Sequence, residues 1–231
     1  MNITRIIIDS STRLLCYLKR NRRITCSGFP VKINLGCGLA VCKGWINIDG
    51  SLNTLIASWP SCFHRLSYRL SGASRYYSRA EYTALLGTHH FVHHDLSHGI
   101  PFPDGSVDFV YSSHFLEHLH KDEAATLLSE AYRVLRKGGT IRVCVPDLAF
   151  AVKLYGQGGR EKMLDDYFFV EQKDSRFARH RYMYDLDLLS AKLGAAGFGK
   201  VVQCSYGEGS TPDLAVLDNR PEDTLFVEAT K

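Results

Sequence analysis

The sequence lacks several patterns that would fix the class of the protein at once. No pair among its seven cysteines has the C-x-x-C spacing of a structural zinc site. No apolar run reaches the roughly 20 residues of a membrane-spanning helix, and there is no signal-peptide pattern, internal repeat or low-complexity segment. Cys37 and Cys144 fall in or beside strand-like runs, as reduced and buried thiols do. We therefore expect a globular protein of the cytoplasm.

The charge of the chain is weakly positive and unevenly distributed. Its 231 residues include 28 lysines and arginines against 24 acidic residues, and this net charge of +4 does not by itself favour nucleic-acid binding. Before residue 24, only Asp9 opposes a group of basic residues, namely Arg5, Arg13, Lys19, Arg20, Arg22 and Arg23.

Residues 1–30 are predicted to form a helical extension ahead of a main domain at 31–231. One apolar stripe is expected along this helix, formed by Ile6, Ile7, Leu14, Leu15 and Leu18. The stripe can pack over the edge of the domain. Alternatively, the basic helix can make a weak contact with an anionic membrane surface.

From residue 31 onward, strand-like and helix-like segments alternate. The strand-like runs are 31–35, 45–48, 91–93, 107–111, 140–145, 200–204 and 225–228. The helix-like stretches are about 52–70, 79–86, 121–136, 148–155, 160–169 and 186–196. This alternation predicts an α/β fold with a mostly parallel seven-stranded sheet and helices on both faces. A loop rich in Gly, Pro and Asp at 207–223 allows the final strand to be antiparallel.

The helix at 121–136 has the clearest pattern. Its apolar positions at helical spacing are Ala125, Leu128, Ala131, Tyr132 and Leu135, and Lys137-Gly138-Gly139 is expected to end it. Two longer insertions, at about 50–90 and 147–185, are rich in aromatic residues. At the carboxyl edge of such a sheet, insertions of this kind commonly form lids and substrate walls.

Two glycines and a carboxylate follow the first two predicted strands. Gly36 and Gly38 would allow close approach of the backbone to a ligand, and Asp49 could bind two ribose hydroxyls. The third glycine of a dinucleotide fingerprint is missing, and only ten residues separate Gly38 from Asp49, too few for a crossover helix and a strand. The pattern predicts a nucleoside-cofactor site without a pyrophosphate cradle. Asp49 could instead be a turn carboxylate.

Four segments carry a resemblance to a known family: LGCG, NID, HHDLSHGIPFPDGSVDFVYSSHFLEHL and EAYRVLRKGGTIRVCVPD. In this order, over residues 31–147, they are similar to class I S-adenosylmethionine-dependent methyltransferases of the methyltransferase type 11 group. The resemblance implies a Rossmann-like class I methyltransferase fold and S-adenosylmethionine as cofactor. The segments HRYMYD, AAGF and NRPEDTLFVEA resemble a subgroup associated with polysaccharide biosynthesis.

The resemblance also implies roles for individual residues. The Gly36–Gly38 turn would pass under the methionine part of the cofactor, and Asp49 would accept hydrogen bonds from the ribose. Asp95 would meet the adenine amino group, although it could instead cap a turn. The whole predicted cofactor set is Leu35, Gly36, Cys37, Gly38, Asp49, Gly50, Asp95, Leu96, Ser112, Ser113 and His114.

Methyl transfer to a hydroxyl needs in-line positioning of the reactants and benefits from a general base. The candidates are His114 at the end of the fourth strand, His180 in the second insertion, and Asp147 after the fifth strand. His114-Phe-Leu-Glu-His118 also matches an inverted zinc-protease motif. Because it directly follows a strand, no metal site is predicted there. None is predicted for the histidines around the third strand, His89, His90, His93, His94 and His98.

The sequence thus predicts a methyltransferase that acts on an oxygen of a sugar, a glycan or a related small molecule. The arginines between residues 65 and 79 would suit a phosphorylated or nucleotide-linked acceptor, or they form a solvated surface. Specific nucleic-acid binding is not expected, because no N-P-P-Y-like sequence follows the fourth strand and no binding module is present. Two alternatives remain open: methylation of nucleic acid or protein, and a non-catalytic cofactor-fold partner in a biosynthetic complex.

Overall fold

The computed structural model describes residues 3–26, 28–169 and 179–231, and one mixed sheet lies at the centre of this part of the chain. Its seven strands are β1 (Lys32–Leu35), β2 (Ile46–Asp49), β3 (His90–His93), β4 (Val107–Ser113), β5 (Leu135–Pro146), β6 (Lys200–Cys204) and β7 (Thr224–Thr230), in the order β3-β2-β1-β4-β5-β7-β6. The first five are parallel, and β7 is antiparallel to both β5 and β6. The predicted mostly parallel sheet with an antiparallel final strand is confirmed.

The central strands are apolar because both of their faces are covered. Ile33, Ile48 and Val110 have no exposed surface, as expected for parallel strands between two layers of helices. Leu35 of β1 pairs with Ile48 of β2 on one side and with Ser112 of β4 on the other. This register brings the carboxyl ends of the three strands to one edge of the sheet, where the predicted site residues lie.

The helices surround the sheet. They are α1 (Ile3–Leu18), α2 (Leu52–Ala57), α3 (Ser61–Leu70), α4 (Arg79–Thr88), α5 (Lys121–Val134), α6 (Leu148–Gly156), α7 (Arg160–Met163), α8 (Leu186–Ala195) and α9 (Leu214–Leu217). A π-helical turn at Leu164–Phe168 continues α7. The first predicted insertion contains α2, α3 and α4. The second contains α6 and α7, and its residues 170–178 lie outside the described part. The division into an extension and a main domain stays a prediction.

The single helix predicted at 52–70 is two helices. α2 ends at Ala57, and α3 begins at Ser61 after Pro60. Proline has no backbone N–H to donate, and its ring clashes with the preceding turn, so it is tolerated at the start of a helix and not in its interior. Pro60 therefore divides the predicted helix.

Helix α5 differs from the prediction at its end and in its buried face. It ends at Val134, and Lys137-Gly138-Gly139 lies within strand β5 instead of stopping the helix. The buried positions are Ala124, Leu127, Leu128, Ala131 and Val134, whereas Ala125 is exposed. The sequence pattern could not separate the end of the helix from the start of β5, because Leu135 continues the apolar spacing into the strand.

The apolar stripe predicted for α1 is wrong in its C-terminal half. Leu14 and Leu18 are 59% and 67% exposed, while Thr12 and Cys16 are buried. The reason is the docking of this helix face on β3, where Cys16 Sγ lies 3.3 Å from His93 Nε2. The side chains of Ile6 and Ile7 lie outside the described part. Within the described residues, no helix has the length and apolar character needed to cross a membrane.

The contact under α1 makes stability depend on pH. The pKa of His93 is lowered from 6.5 to about 4. Burial is the main cause, and the nearby charge of Lys19 acts in the same direction. Between pH 4 and 6.5 the unfolded chain therefore binds more protons than the folded chain. We expect the free energy of unfolding to fall as the pH drops through this window, by about 1–2 kcal/mol at pH 5. Urea unfolding followed by circular dichroism at pH 7 and pH 5 measures this loss.

A His93→Gln variant removes the titrating group and should flatten the pH dependence. His94 keeps part of the slope, because burial also lowers its pKa. His90 is exposed at the start of the same strand, so a His90→Gln variant should leave the slope unchanged. Equal slopes in the parent protein and the His93→Gln variant would contradict this explanation.

Candidate active site

The turn after β1 has the backbone geometry that its glycines allow. Gly36 and Gly38 have φ values of +65° and +52°, in the left-handed region where a side chain is disfavoured. The Gly36 N–H donates to the carbonyl of Ile48 over 2.9 Å, which ties the turn to β2. The backbone of the turn therefore lies directly beside the carboxyl end of β2.

Asp49 connects this turn to the segment after β2. Its Oδ2 accepts from the Gly38 N–H at 3.0 Å, and its Oδ1 accepts from the Ser51 N–H at 2.7 Å. Each carboxylate oxygen can accept a second hydrogen bond. The glycine turn and Asp49 therefore lie side by side, as expected for residues that follow two adjacent strands. The two hydrogen bonds fix the carboxylate in one orientation.

Asp95 lies at the same edge of the sheet. The His94 N–H donates to the carbonyl of Asp49 at 3.1 Å, so the segment after β3 adjoins the end of β2. Asp95 Oδ1 accepts from the Ser97 N–H at 2.9 Å and caps the 3₁₀ turn Leu96–His98. The capping role considered from the sequence is therefore present. The other carboxylate oxygen of Asp95, Oδ2, accepts no hydrogen bond from the backbone of this turn.

The end of β4 and the turn after it supply three more of the predicted cofactor residues, Ser112, Ser113 and His114. Ser112 is buried, and its hydroxyl has no hydrogen-bond partner in the described part of the chain. His114 has a φ of +48°, a conformation that is rare for residues other than glycine. Residues in such conformations occur frequently at functional sites. Its N–H donates to the carbonyl of Cys144 at 2.8 Å, which fixes the turn against β5.

A cavity of about 430 Å³ opens beside the glycine turn. One wall is formed by residues 36–40, and another by residues between 71 and 77, from the first insertion. Ser113 and His114 also line it, as do Asn219 and Arg220 from the loop before β7. The lining is rich in hydroxyl, amide and aromatic groups, which suits a polar organic molecule.

The three predicted base candidates differ in their relation to the cavity. His114 lines the cavity, with Nε2 3.2 Å from Thr224 Oγ1 and Nδ1 3.5 Å from Glu117 Oε1. Asp147 is at the N-terminus of α6, where its Oδ1 accepts from the Ala149 N–H at 2.9 Å. His180 contacts Tyr167 and also lies away from the cavity lining. His114 is therefore the candidate that the fold brings to the cavity.

Glu117 is a buried carboxylate whose environment the sequence did not reveal. It has no exposed surface, and neither of its oxygens has a hydrogen-bond partner among the described residues. Burial acts to raise the pKa of Glu117, but His114 and His118 outweigh it and lower that pKa. Burial lowers the pKa of His180, and Glu117 opposes that effect. The carboxylate is thus ionised next to histidines from two parts of the chain.

Comparisons with known proteins agree with this architecture. A family model described as "Methyltransferase domain" matches residues 66–143. A curated protein of Mycolicibacterium smegmatis, named "Probable S-adenosylmethionine-dependent methyltransferase", is 42% identical over 57 residues, which cover 23% of this chain and 21% of that protein. The chain thus matches about a fifth of the length of this relative.

A solved structure is similar over nearly the whole chain. It is a SAM-dependent methyltransferase from Archaeoglobus fulgidus, with a TM-score of 0.52 and 16% identity over 98% of this chain and 94% of that chain. At this identity the likeness concerns the fold. The fold is that of the class I methyltransferases, as the sequence predicted. The matched family model agrees with that class, whose cofactor is S-adenosylmethionine.

Proposed function

We propose that the protein transfers a methyl group from S-adenosylmethionine to a hydroxyl of a small polar acceptor, such as a sugar or a glycan end. The observation that carries this proposal is the Asp49 carboxylate, fixed by the Gly38 N–H at 3.0 Å, beside a polar cavity that His114 lines. A fixed acceptor of hydrogen bonds suits a ribose, and a backbone turn that lines the cavity suits an amino-acid moiety.

The residues at this edge suit the cofactor for separate reasons. The carboxylate of Asp49 can accept further hydrogen bonds from two ribose hydroxyls. Asp95 offers an oxygen for the adenine amino group, whereas Leu96, predicted beside the ring, is buried in the hydrophobic core. The buried hydroxyl of Ser112 lacks a hydrogen-bond partner among the described residues, but Ser112 is not one of the residues that line the cavity.

The cavity supports a hydroxylated acceptor. Asn53, Ser71 and Tyr77 line it with polar groups, and Tyr76 is 70% exposed, so its ring is available for stacking on a sugar. Arg220 also lines the cavity and could bind a phosphate of a phosphorylated or nucleotide-linked acceptor. The arginines between residues 65 and 79, which the sequence suggested for this role, are not among the cavity-lining residues.

The proposed chemistry divides between positioning and proton transfer. S-adenosylmethionine supplies an electrophilic methyl group when it is bound. The cavity walls hold the acceptor oxygen in line with that group, which removes much of the entropic barrier. His114 accepts the proton of the acceptor hydroxyl at Nε2, which Thr224 Oγ1 now contacts at 3.2 Å, and the Glu117 carboxylate lies 3.5 Å from Nδ1 on the other side of the ring.

Calorimetric titration with S-adenosylmethionine tests the cofactor site. We expect an Asp49→Asn variant to bind at least about tenfold more weakly, because an amide cannot accept as many hydrogen bonds and carries no charge. Asp104 is an exposed aspartate in the turn before β4, so Asp104→Asn is the matched control and should bind like the parent. No binding by the parent at millimolar cofactor would refute the proposed function.

The acceptor class needs a separate measurement. A screen with labelled cofactor should show transfer to sugars, nucleotide sugars or glycans. Transfer to RNA or protein alone would contradict the proposed acceptor class and would favour the alternative of a nucleic-acid or protein methyltransferase. Cofactor binding without transfer to any acceptor would favour a non-catalytic partner.

A further inference from the structure

Three side chains with metal-binding atoms converge next to His114, outside the lining of the cavity. Glu117, His118 and His180 offer ligand atoms that all lie within 4.8 Å of one another. Glu117 and His118 belong to the turn after β4, and His180 comes from the second insertion, far along the chain. The backbone holds the two segments together, since the N–H groups of Arg181 and Tyr182 donate to the carbonyl of Glu117 at 2.7 and 3.2 Å.

Both histidines are oriented as metal ligands usually are. His118 Nδ1 lies 3.1 Å from the carbonyl oxygen of Arg179, and His180 Nδ1 lies 2.7 Å from that of Tyr167. A carbonyl oxygen can only accept a hydrogen bond, so each Nδ1 carries a proton, and in the neutral ring each Nε2 has a lone pair for an ion. Metal-binding histidines typically donate their other ring N–H to a carbonyl or carboxylate in this way.

Glu117 supplies an independent reason to expect a cation. Its side chain is fully buried, and both carboxylate oxygens lack a hydrogen-bond partner in the described part of the chain. The nearest basic atoms, His114 Nδ1 and His118 Nε2, are 3.5 and 3.7 Å from Oε1, beyond good hydrogen-bond distance. A buried carboxylate without a partner is costly, and a bound cation would remove this cost.

We propose that Glu117, His118 and His180 bind one divalent first-row transition-metal ion, although no metal site is predicted from the sequence motif that contains Glu117 and His118. Two imidazoles and one carboxylate form a ligand set that suits Zn²⁺ or Fe²⁺ and leaves a coordination position open. Ligand atoms around a tetrahedral zinc ion are about 3.3 Å apart, so the three side chains, whose ligand atoms lie within 4.8 Å of one another, would move closer together around the ion. The inference concerns ion binding, and it does not require the proposed methyl transfer.

The location of the site connects the ion with His114. His114 contacts Glu117 and lines the cavity, so the ion would lie one side chain away from a bound acceptor. His180, a base candidate from the sequence, is then assigned to the ion.

Metal binding is measured on the full chain without a polyhistidine tag, after treatment with a chelator. Titration calorimetry with Zn²⁺ should show one ion per chain, and Co²⁺ should give the absorption bands of a low-coordinate site. We expect Glu117→Gln and His180→Asn each to weaken Zn²⁺ binding by about a hundredfold, because each removes a direct ligand. His90→Asn, which removes an exposed histidine, should bind like the parent.

Several outcomes would overturn the proposal. The parent could fail to bind Zn²⁺ at millimolar concentration, or it could bind with an affinity that Glu117→Gln and His180→Asn do not change. In either case the cluster would be a structural group of histidines around a carboxylate. Tighter binding of Mg²⁺ than of Zn²⁺ would refute the class of metal. If Glu117→Gln does not fold, as judged by circular dichroism, the half-buried His180→Asn decides the question.

Discussion

A Gly36→Ala variant is expected to lose about 2–4 kcal/mol of unfolding free energy and to lose measurable cofactor binding. A Cβ atom at this position would lie 2.1 Å from Cγ of Phe115, which packs against the core and cannot easily move away. The backbone at Gly36 also has a φ of +65°, which adds strain for any residue with a side chain. Urea unfolding and calorimetric titration with S-adenosylmethionine measure the two effects.

The neighbouring glycine is a matched control for the steric part of this effect. Gly38 has a similar φ of +52°, but a Cβ atom there would meet nothing within 4 Å. Gly38→Ala should therefore cost only the backbone strain, about 1 kcal/mol. Equal losses of stability in Gly36→Ala and Gly38→Ala would contradict the role assigned to Phe115.

The parts of this fold that the sequence predicts are those with local signals. Each of the seven strands overlaps its predicted run, because apolar and β-branched segments alternate with helical ones, although β5 begins at Leu135, well before its predicted start. The closeness of Gly36 and Asp49 can also be predicted from the order of the strands in the sequence. Two strands that are adjacent and parallel must bring their carboxyl ends to one edge, so residues just after them are neighbours.

The parts that the sequence does not predict depend on contacts between distant segments. Nothing in the local pattern indicates that His180 would reach Glu117, because that contact requires the second insertion to return to the end of β4. The buried face of α1 is a similar case, since docking on β3 selects Cys16 over Leu18. The hydrophobicity of the helix alone could not indicate which of its faces is buried, because that depends on the strand against which it packs.

A buried cluster of charged side chains around Arg142 of β5 also depends on contacts between distant segments. Arg142 and Asp218 have no exposed side-chain surface and pair over 2.5 Å. Arg142 also faces Glu228, its direct cross-strand neighbour on β7, at 3.3 Å. Burial acts to lower the pKa of Arg142, but the paired carboxylates outweigh it and raise that pKa. The pairing gives a strong prediction for stability.

An Arg142→Met variant is expected to lose about 3–5 kcal/mol of unfolding free energy, because it leaves two carboxylates buried without their cation. It also removes donors to the carbonyls of Glu208 and Ser205, which hold the loop between β6 and β7. For a chain of this length, the melting temperature should fall by roughly 10 °C. Thermal and urea unfolding measure the loss.

A double variant separates the pair from its surroundings. Arg142→Met combined with Asp218→Leu should be less destabilised than the sum of the two single variants, since neither charge is then left alone. Lys162→Met removes a lysine from an exposed pair with Asp166, and it should not change stability measurably. Additive losses in the double variant would show that Arg142 stabilises the loop through its backbone contacts and not through its charge.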